Sequence, residues 1–154
     1  MHAGCYHLGR ICPSSMRNIR TLAIPTFQNS TLIPRLETLV ADITTRAFQA
    51  DGTYKVVSET QADAILKCKL VSVSRTTRLL SPHDLLTARK IQLQILVTYQ
   101  VVDRITDTLL QEGTAVGNTR YFVGEDPISQ EQQELPMAAR SMAASMINQL
   151  TEGW

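Results

Sequence analysis

Alternation of apolar and polar residues predicts three long β-strands in the middle of the chain. Residues 62–75, 91–102 and 109–122 show the period of two that is typical of a sheet with one covered face and one wet face. The pattern is clearest over 91–102, where the odd-numbered positions are apolar and the even-numbered ones are mostly polar. Residues 103–108 read as a hairpin turn. We therefore expect these three strands to pair in antiparallel fashion.

Two other segments repeat their apolar residues at helical spacing. The first ends before Gly52, a residue type that favours helix C-termini, and either Ser30 or Thr31 is placed to cap its start. The second covers 129–150 and begins either at Ser129 or at Pro136. One stripe in the first helix is formed by Leu36, Leu39, Val40, Ile43, Ala47 and Phe48.

A short strand precedes the first helix, at residues 19–24, and another is indicated at 54–57. Without the short segment at 54–57, the order is β-α-β-β-β-α, which predicts an α+β fold. We expect a two-layer sandwich in which two helices pack on one face of a four-stranded, mainly antiparallel sheet. Residues 1–18 read as an extended leader and residues 19–154 as a single domain.

Composition supports a globular domain and argues against several function classes. The 154 residues are 44% hydrophobic and 19% charged, with a formal net charge of +1. Broad nucleic-acid binding usually needs a strongly basic surface, so no nucleic-acid partner is expected. No apolar stretch approaches the roughly 20 residues of a membrane-spanning helix.

The sequence contains no recognisable catalytic motif. Its three histidines are scattered, and it contains neither a glycine-rich phosphate loop nor a Gly-x-Ser-x-Gly turn. The spacing of its three cysteines matches no zinc site, and Cys68 reads as a small core side chain in a strand. We therefore expect neither an enzyme nor a bound metal or cofactor.

One constellation lies where the first two long strands meet. Basic residues flank an apolar loop that contains Leu79 and Leu80, followed by Leu85 and Leu86. Cations beside apolar groups suit an amphiphile with anionic headgroups or a groove on a protein, whereas an ordinary long loop with solvated arginines remains the alternative. The four basic residues are Arg75, Arg78, Arg89 and Lys90.

The N-terminus carries the tripeptide Ala3-Gly4-Cys5, which resembles the end of a bacterial lipoprotein cleavage site. At such a site the cysteine becomes the first residue of the mature protein and carries acyl chains. The sequence thus makes Cys5 a candidate lipid anchor, and the alternative is a free cysteine in a disordered tail.

Several motifs together resemble a known family. Residues 5–9 read Cys-Tyr-His-Leu-Gly, residues 25–31 contain a Pro-x-Phe-x-Asn-x-Thr segment, and residues 62–66 read Ala-Asp-Ala-Ile-Leu. The chain ends in Leu-Thr-Glu-Gly-Trp. Each motif has a counterpart, in the same order, in outer-membrane lipopolysaccharide-assembly lipoproteins of the LptE type. One departure is the missing glycine after the cysteine.

The resemblance implies a non-enzymatic function in the cell envelope. Its expected partners are lipopolysaccharide and the large outer-membrane β-barrel translocon of the LptD type, in which such a protein acts as a plug and assembly partner. The expected location is the periplasmic face of the outer membrane, reached through the lipid anchor. Carried over, the family's lipopolysaccharide-binding residues point to the basic hairpin.

A second hypothesis comes from another class. Strand-turn segments such as residues 22–27 also occur in other periplasmic lipoproteins, which act as regulators or secretion-pore components. Such a protein would be a protein-interaction module that binds no lipid.

Overall fold

The computed structural model describes residues 16–79 and 89–151 of the chain. Cys5, Cys12, Leu80, Leu85 and Leu86 lie outside the described residues. The elements in chain order are β1 (Thr21–Ala23), β2 (Gln28–Asn29), α1 (Leu36–Asp51), β3 (Lys55–Val56), β4 (Ala64–Leu79), β5 (Arg89–Asp103), β6 (Leu109–Phe122) and α2 (Pro127–Thr151).

The sheet confirms the α+β fold but differs from the predicted four-stranded one. Within the described residues it has six strands in the order β3-β1-β4-β5-β6, and β2 also pairs with β4. The long strands β4, β5 and β6 are antiparallel as predicted, whereas β1 pairs in parallel with both β3 and β4, and β2 pairs in parallel with β4. A strand of two residues is too short to show a period, so the sequence gives no sign of β2.

The helix ends agree only in part with the sequence signals. Gly52 ends α1 in the left-handed conformation, with φ 79°, and its N–H donates to the Phe48 carbonyl at 3.1 Å, as expected. The predicted cap at Ser30 or Thr31 is wrong, because the helix begins after Arg35, which has φ 64°. The Thr31 hydroxyl instead donates to the Asn29 side chain at 2.6 Å.

Helix α2 starts earlier than either predicted residue. It begins at Pro127, a position where the missing N–H costs nothing, and it continues through Pro136. The alternative start at Pro136 is therefore wrong.

Two faces of the sheet must be distinguished. The helix face is the one that α2 covers over β5 and β6, and α1 packs beside α2. The open face is the opposite one. Along β5 the helix-face residues Leu93, Ile95, Val97, Tyr99 and Val101 are all buried, which confirms the predicted orientation of this strand.

The predicted core is largely confirmed. Ile43 is only partly buried, packing against the core from its edge. Cys68 is buried as a core side chain, and this burial raises the pKa of its thiol. The remaining predicted core residues are all buried: Leu36, Val40, Leu66, Leu93, Ile95, Val97, Met142 and Leu150.

Gly113 and Gly117 lie inside β6, where glycine often marks a β-bulge. The register shifts, however, lie between Leu70 and Ser72 and between Val101 and Val102. A Cβ at Gly117 would lie 2.6 Å from Met142 Cβ and closer still to the Ala138 carbonyl. Gly117 is therefore needed for the close approach of α2.

Candidate functional site

The four basic residues predicted at the hairpin divide between the two faces of the sheet. Arg78 lies directly opposite Lys90, and both are on the open face. Arg75 and Arg89 are at odd-numbered positions of the same strands, beside Leu93 and Leu79 in the register, and therefore belong to the helix face. Because side chains alternate along a strand, four cations that are close in sequence are divided between the two faces of the sheet.

Arg75 is already occupied by an intramolecular contact. Its Nη2 donates to Glu131 Oε2 of α2 at 2.9 Å, and its Nε contacts the other carboxylate oxygen. This hydrogen bonding raises the pKa of the Arg75 guanidinium. The residue thus fixes the start of α2 to β4, and its charge is largely compensated.

Leu79 is the last residue of β4 and Arg89 is the first residue of β5, and the two lie directly opposite each other. The Arg89 carbonyl accepts a hydrogen bond from the Val123 N–H at 2.8 Å. Its side chain is exposed on the side of the sheet away from Arg78.

Two residues that the sequence did not reveal complete the open-face group. Phe122 of β6 lies opposite Lys90, and its ring centroid is 5.7 Å from Lys90 Nζ, a cation–π distance. Arg120 is opposite Gln92, one position further along the same face. We call Arg78, Lys90, Arg120 and Phe122 the hairpin-end cluster.

The hairpin-end cluster combines charge with an apolar surface. Phe122 is 53% exposed, and Arg78 and Arg120 are also exposed. Neighbouring strands lie about 4.8 Å apart, so the Arg78, Lys90 and Phe122 side chains form one continuous row across three strands. Such a row can bind an anion at one end and an apolar chain at the other.

Charge on the open face is strongly biased. On strands β4 to β6 of the described structure it carries Lys67, Lys69, Arg78, Lys90 and Arg120, against the single carboxylate of Glu112. The ion pairs found among the described residues are Arg46–Asp42 and Arg75–Glu131, and neither lies on this face. In a chain with a net charge of only +1, the surface that the helices leave uncovered is thus clearly basic.

The bias on the open face extends to a groove at its other end. The groove has a volume of about 850 Å³, and Lys67 and Lys69 line it together with Thr98, Gln100 and Glu112. Pro25 and Thr26, between β1 and β2, form one wall together with Gln28 of β2.

Neither metal chemistry nor a membrane span is indicated by the described part of the chain. Residues 16–79 and 89–151 contain no group of three histidine, cysteine or acidic side chains placed to hold a metal ion. None of the helices described is long and apolar enough to cross a bilayer.

Fold and surface together define a class of protein: a small two-layer α+β domain whose uncovered sheet face is basic. The sequence profile of the family described as LptE, lipopolysaccharide-assembly, matches residues 19–152. The chain belongs to this family, as its motifs indicated. The family is non-enzymatic, in agreement with the expectation that the chain is not an enzyme.

Solved structures share the fold at low sequence identity. The PelC dodecamer of Paraburkholderia phytofirmans has a TM-score of 0.57 at 15% identity, with 84% of this chain and 87% of that chain covered. A minor lipoprotein from Acinetobacter baumannii has a TM-score of 0.56 at 14% identity, with 88% of this chain and 94% of that chain covered.

Lipoprotein GNA1162 from Neisseria meningitidis has a TM-score of 0.51 at 11% identity, with 86% of this chain and 99% of that chain covered. At these identities the likeness shows the fold alone. A search of curated protein sequences found no matching relative.

Proposed function

We propose that this protein binds lipopolysaccharide at the hairpin-end cluster and acts as the plug and assembly partner of an LptD-type β-barrel translocon. One observation carries the lipid-binding part: the open-face row in which Arg78, Lys90 and Phe122 lie side by side. Membership of the LptE family supports the choice of ligand and partner.

The chemistry of this row suits the lipid A part of the molecule. The Arg78 guanidinium can bind a phosphate in bidentate fashion, and the Lys90 ammonium adds a second charge. The exposed ring of Phe122 offers an apolar contact to the first carbons of an acyl chain. Arg120 lies close enough along the sheet to contact a second phosphate. Arg75 is assigned no part in binding, because Glu131 holds it on the helix face.

The test is a double charge reversal on the open face. We expect Arg78→Glu with Lys90→Glu to weaken lipopolysaccharide binding by about tenfold or more, since charge-assisted hydrogen bonds are lost and repulsion is introduced. The matched control is Arg46→Glu with Lys55→Glu, which reverses the same number of charges at exposed positions elsewhere. Affinity should also fall with added salt, because exposed charges are screened over about 8 Å at physiological ionic strength.

The alternative function is distinguished in the same experiment. Unchanged lipopolysaccharide affinity in the double variant, with the barrel still co-purifying from outer membranes, would favour a protein-interaction module that binds no lipid. Loss of both activities with the fold intact would place the barrel contact on the same face.

The lipid anchor is a separate part of the proposal. We expect Cys5 to be acylated in the native host and to hold the domain at the periplasmic face of the outer membrane. Mass spectrometry of the mature membrane-bound protein should detect a diacylated or triacylated N-terminal cysteine. An unmodified Cys5 in that preparation contradicts the assignment.

A further inference from the structure

The groove around Lys67 and Lys69 is a second feature of the open face, well separated from the hairpin-end cluster. Lys69 pairs with Thr98 and Arg78 with Lys90, so eight residues of β5 separate the two sites. At about 3.3 Å per residue they lie about 26 Å apart along the sheet.

Backbone irregularities next to the groove explain its concave shape. Both register shifts of the sheet lie beside the groove residues: β4 carries an extra residue between Leu70 and Ser72, and β6 carries one opposite Val101 and Val102. A β-bulge bends its strand and increases the local twist. The segment between β1 and β2 then closes one side, with Gln28 next to Lys69 in the register.

The lining of the groove combines polar and apolar groups, with an excess of positive charge. Thr98, Gln100 and Thr114 contribute hydroxyl and amide groups to it. Two lysines face one carboxylate, Glu112, and neither lysine forms an ion pair with a described residue. Its volume of about 850 Å³ is within the range of small-molecule sites, about 300–1,000 Å³.

Among the described residues, the groove lacks exposed large apolar side chains, and this absence distinguishes between the candidate ligands. The large apolar side chains exposed in the described structure are Leu32, Ile105, Leu109, Phe122, Ile128 and Met137. None of them lines the groove. Protein interfaces usually depend on a large aromatic or aliphatic anchor, and an acyl chain needs walls of exposed large apolar side chains, so the lining favours neither. Hydroxyls and amides beside cations fit a sugar that carries negative charge.

We propose that this groove binds an anionic saccharide, a short chain of sugars bearing phosphate groups. The inference extends the proposed function, since the natural source would be the phosphorylated sugar part of the glycolipid whose lipid part meets the hairpin-end cluster. Lys67 and Lys69 hold the phosphates, and the Thr98, Gln100 and Thr114 side chains bind sugar hydroxyls. Between the two sites the open face presents further polar groups, including Gln92, which donates to Asn118 at 3.2 Å.

The probe is the phosphorylated core oligosaccharide released from lipopolysaccharide without its acyl chains, titrated into the 154-residue chain. Binding is followed by calorimetry and by the backbone NMR signals of Thr98 and Thr114. We expect Lys67→Gln with Lys69→Gln to weaken binding by about tenfold or more, as two charge-assisted contacts are lost. Lys55→Gln, which removes an exposed lysine on β3 outside the groove, is the control and should leave the affinity unchanged.

Two further arms test the chemistry. Glu112→Gln removes a negative charge that repels the phosphates, so it should strengthen binding of the phosphorylated probe by about twofold. Dephosphorylation of the oligosaccharide should remove the dependence on both lysines. Unfolding temperatures of the variants should match the parent, because both lysine side chains are exposed.

The outcomes separate this inference from the proposed function. In the first outcome, the lysine variants bind the oligosaccharide as the parent does, while Arg78→Gln with Lys90→Gln loses lipopolysaccharide binding. The groove assignment is then wrong and the proposed function stands. If oligosaccharide binding depends on the lysines while lipopolysaccharide affinity is insensitive to Arg78 and Lys90, the groove assignment stands and the hairpin-end site is wrong. Equal affinity for polyglutamate would indicate plain charge attraction and overturn the saccharide assignment.

Discussion

The phenolic hydroxyl of Tyr99 donates a hydrogen bond to Gln149 Oε1 at 2.6 Å, which joins the centre of β5 to the last turns of α2. The amide of Gln149 donates in turn to the Thr114 carbonyl at 2.9 Å. Gly113 lies beside this bond, and a Cβ there would come within 2.6 Å of the Tyr99 hydroxyl. The link thus depends on a glycine in the neighbouring strand.

We expect Tyr99→Phe to lower the free energy of unfolding by about 1–2 kcal/mol, because a buried hydrogen bond is lost and the Gln149 oxygen loses its donor. Chemical denaturation of the parent and the variant gives the difference. The control is Tyr121→Phe, another buried tyrosine of the sheet, whose hydroxyl has no hydrogen-bond partner among the described residues. A loss at Tyr121 as large as that at Tyr99 would show that the link to Gln149 adds nothing.

The same tyrosine predicts a pH effect. Burial raises the pKa of Tyr99 to about 12, above the usual value of 10 in an unfolded chain. The unfolded state therefore loses this proton first, and the stability contribution is complete below pH 10 and falls as the pH rises toward 12. Denaturation at pH 8 and pH 11 should show a smaller decrease for Tyr99→Phe than for the parent. Equal decreases would contradict this assignment.

Gly117→Ala should destabilise the protein strongly, by about 3 kcal/mol or more, because the new methyl group meets the α2 backbone at Ala138 and Met142 rather than a flexible side chain. Thermal unfolding measures the effect. Gly124→Ala is the matched control, since its Cβ would lie 3.5 Å from Gln130, an ordinary contact. If the two substitutions cost the same, α2 does not pack on β6 as closely as described.

Adjacent residues of β5 test which face is covered. Ile95→Ala should cost about 2–5 kcal/mol, since its side chain is buried under α2. Leu96→Ala, on the open face, should cost about 1 kcal/mol or less in chemical denaturation. A reversed order would mean that the helices cover the other face.

The contact between Arg75 and Glu131 predicts a structural role and no ligand role. Both side chains are partly exposed, so a double-mutant cycle with Arg75→Ala and Glu131→Ala should give a coupling of about 0.5–1 kcal/mol that decreases with salt. Arg75→Gln should leave lipopolysaccharide affinity unchanged, whereas Arg78→Gln should lower it. An equal loss of lipopolysaccharide affinity in both variants would mean that Arg75 is part of the binding site.

Local pattern in the sequence determined the long elements and the class of fold. The alternation over β4, β5 and β6 specified strands and even the buried side of β5, because a half-covered sheet imposes a period of two on its residues. Gly52 ended α1 as predicted, since few other residues adopt a positive φ without strain. The family motifs and the basic character of the hairpin were also readable without coordinates.

Tertiary structure decided what depends on partners distant in sequence. The short strand β2 exists only because β4 supplies its hydrogen bonds, so no pattern within two residues could predict it. Arg120 and Phe122 join Arg78 and Lys90 through the register between β5 and β6, which a shift of one residue would reverse to the other face. Arg75 is held on the helix face by a carboxylate 56 residues away in α2. Spacing in the sequence shows which residues are neighbours along one strand. A binding surface, however, is made by side chains that the sheet brings together from several strands.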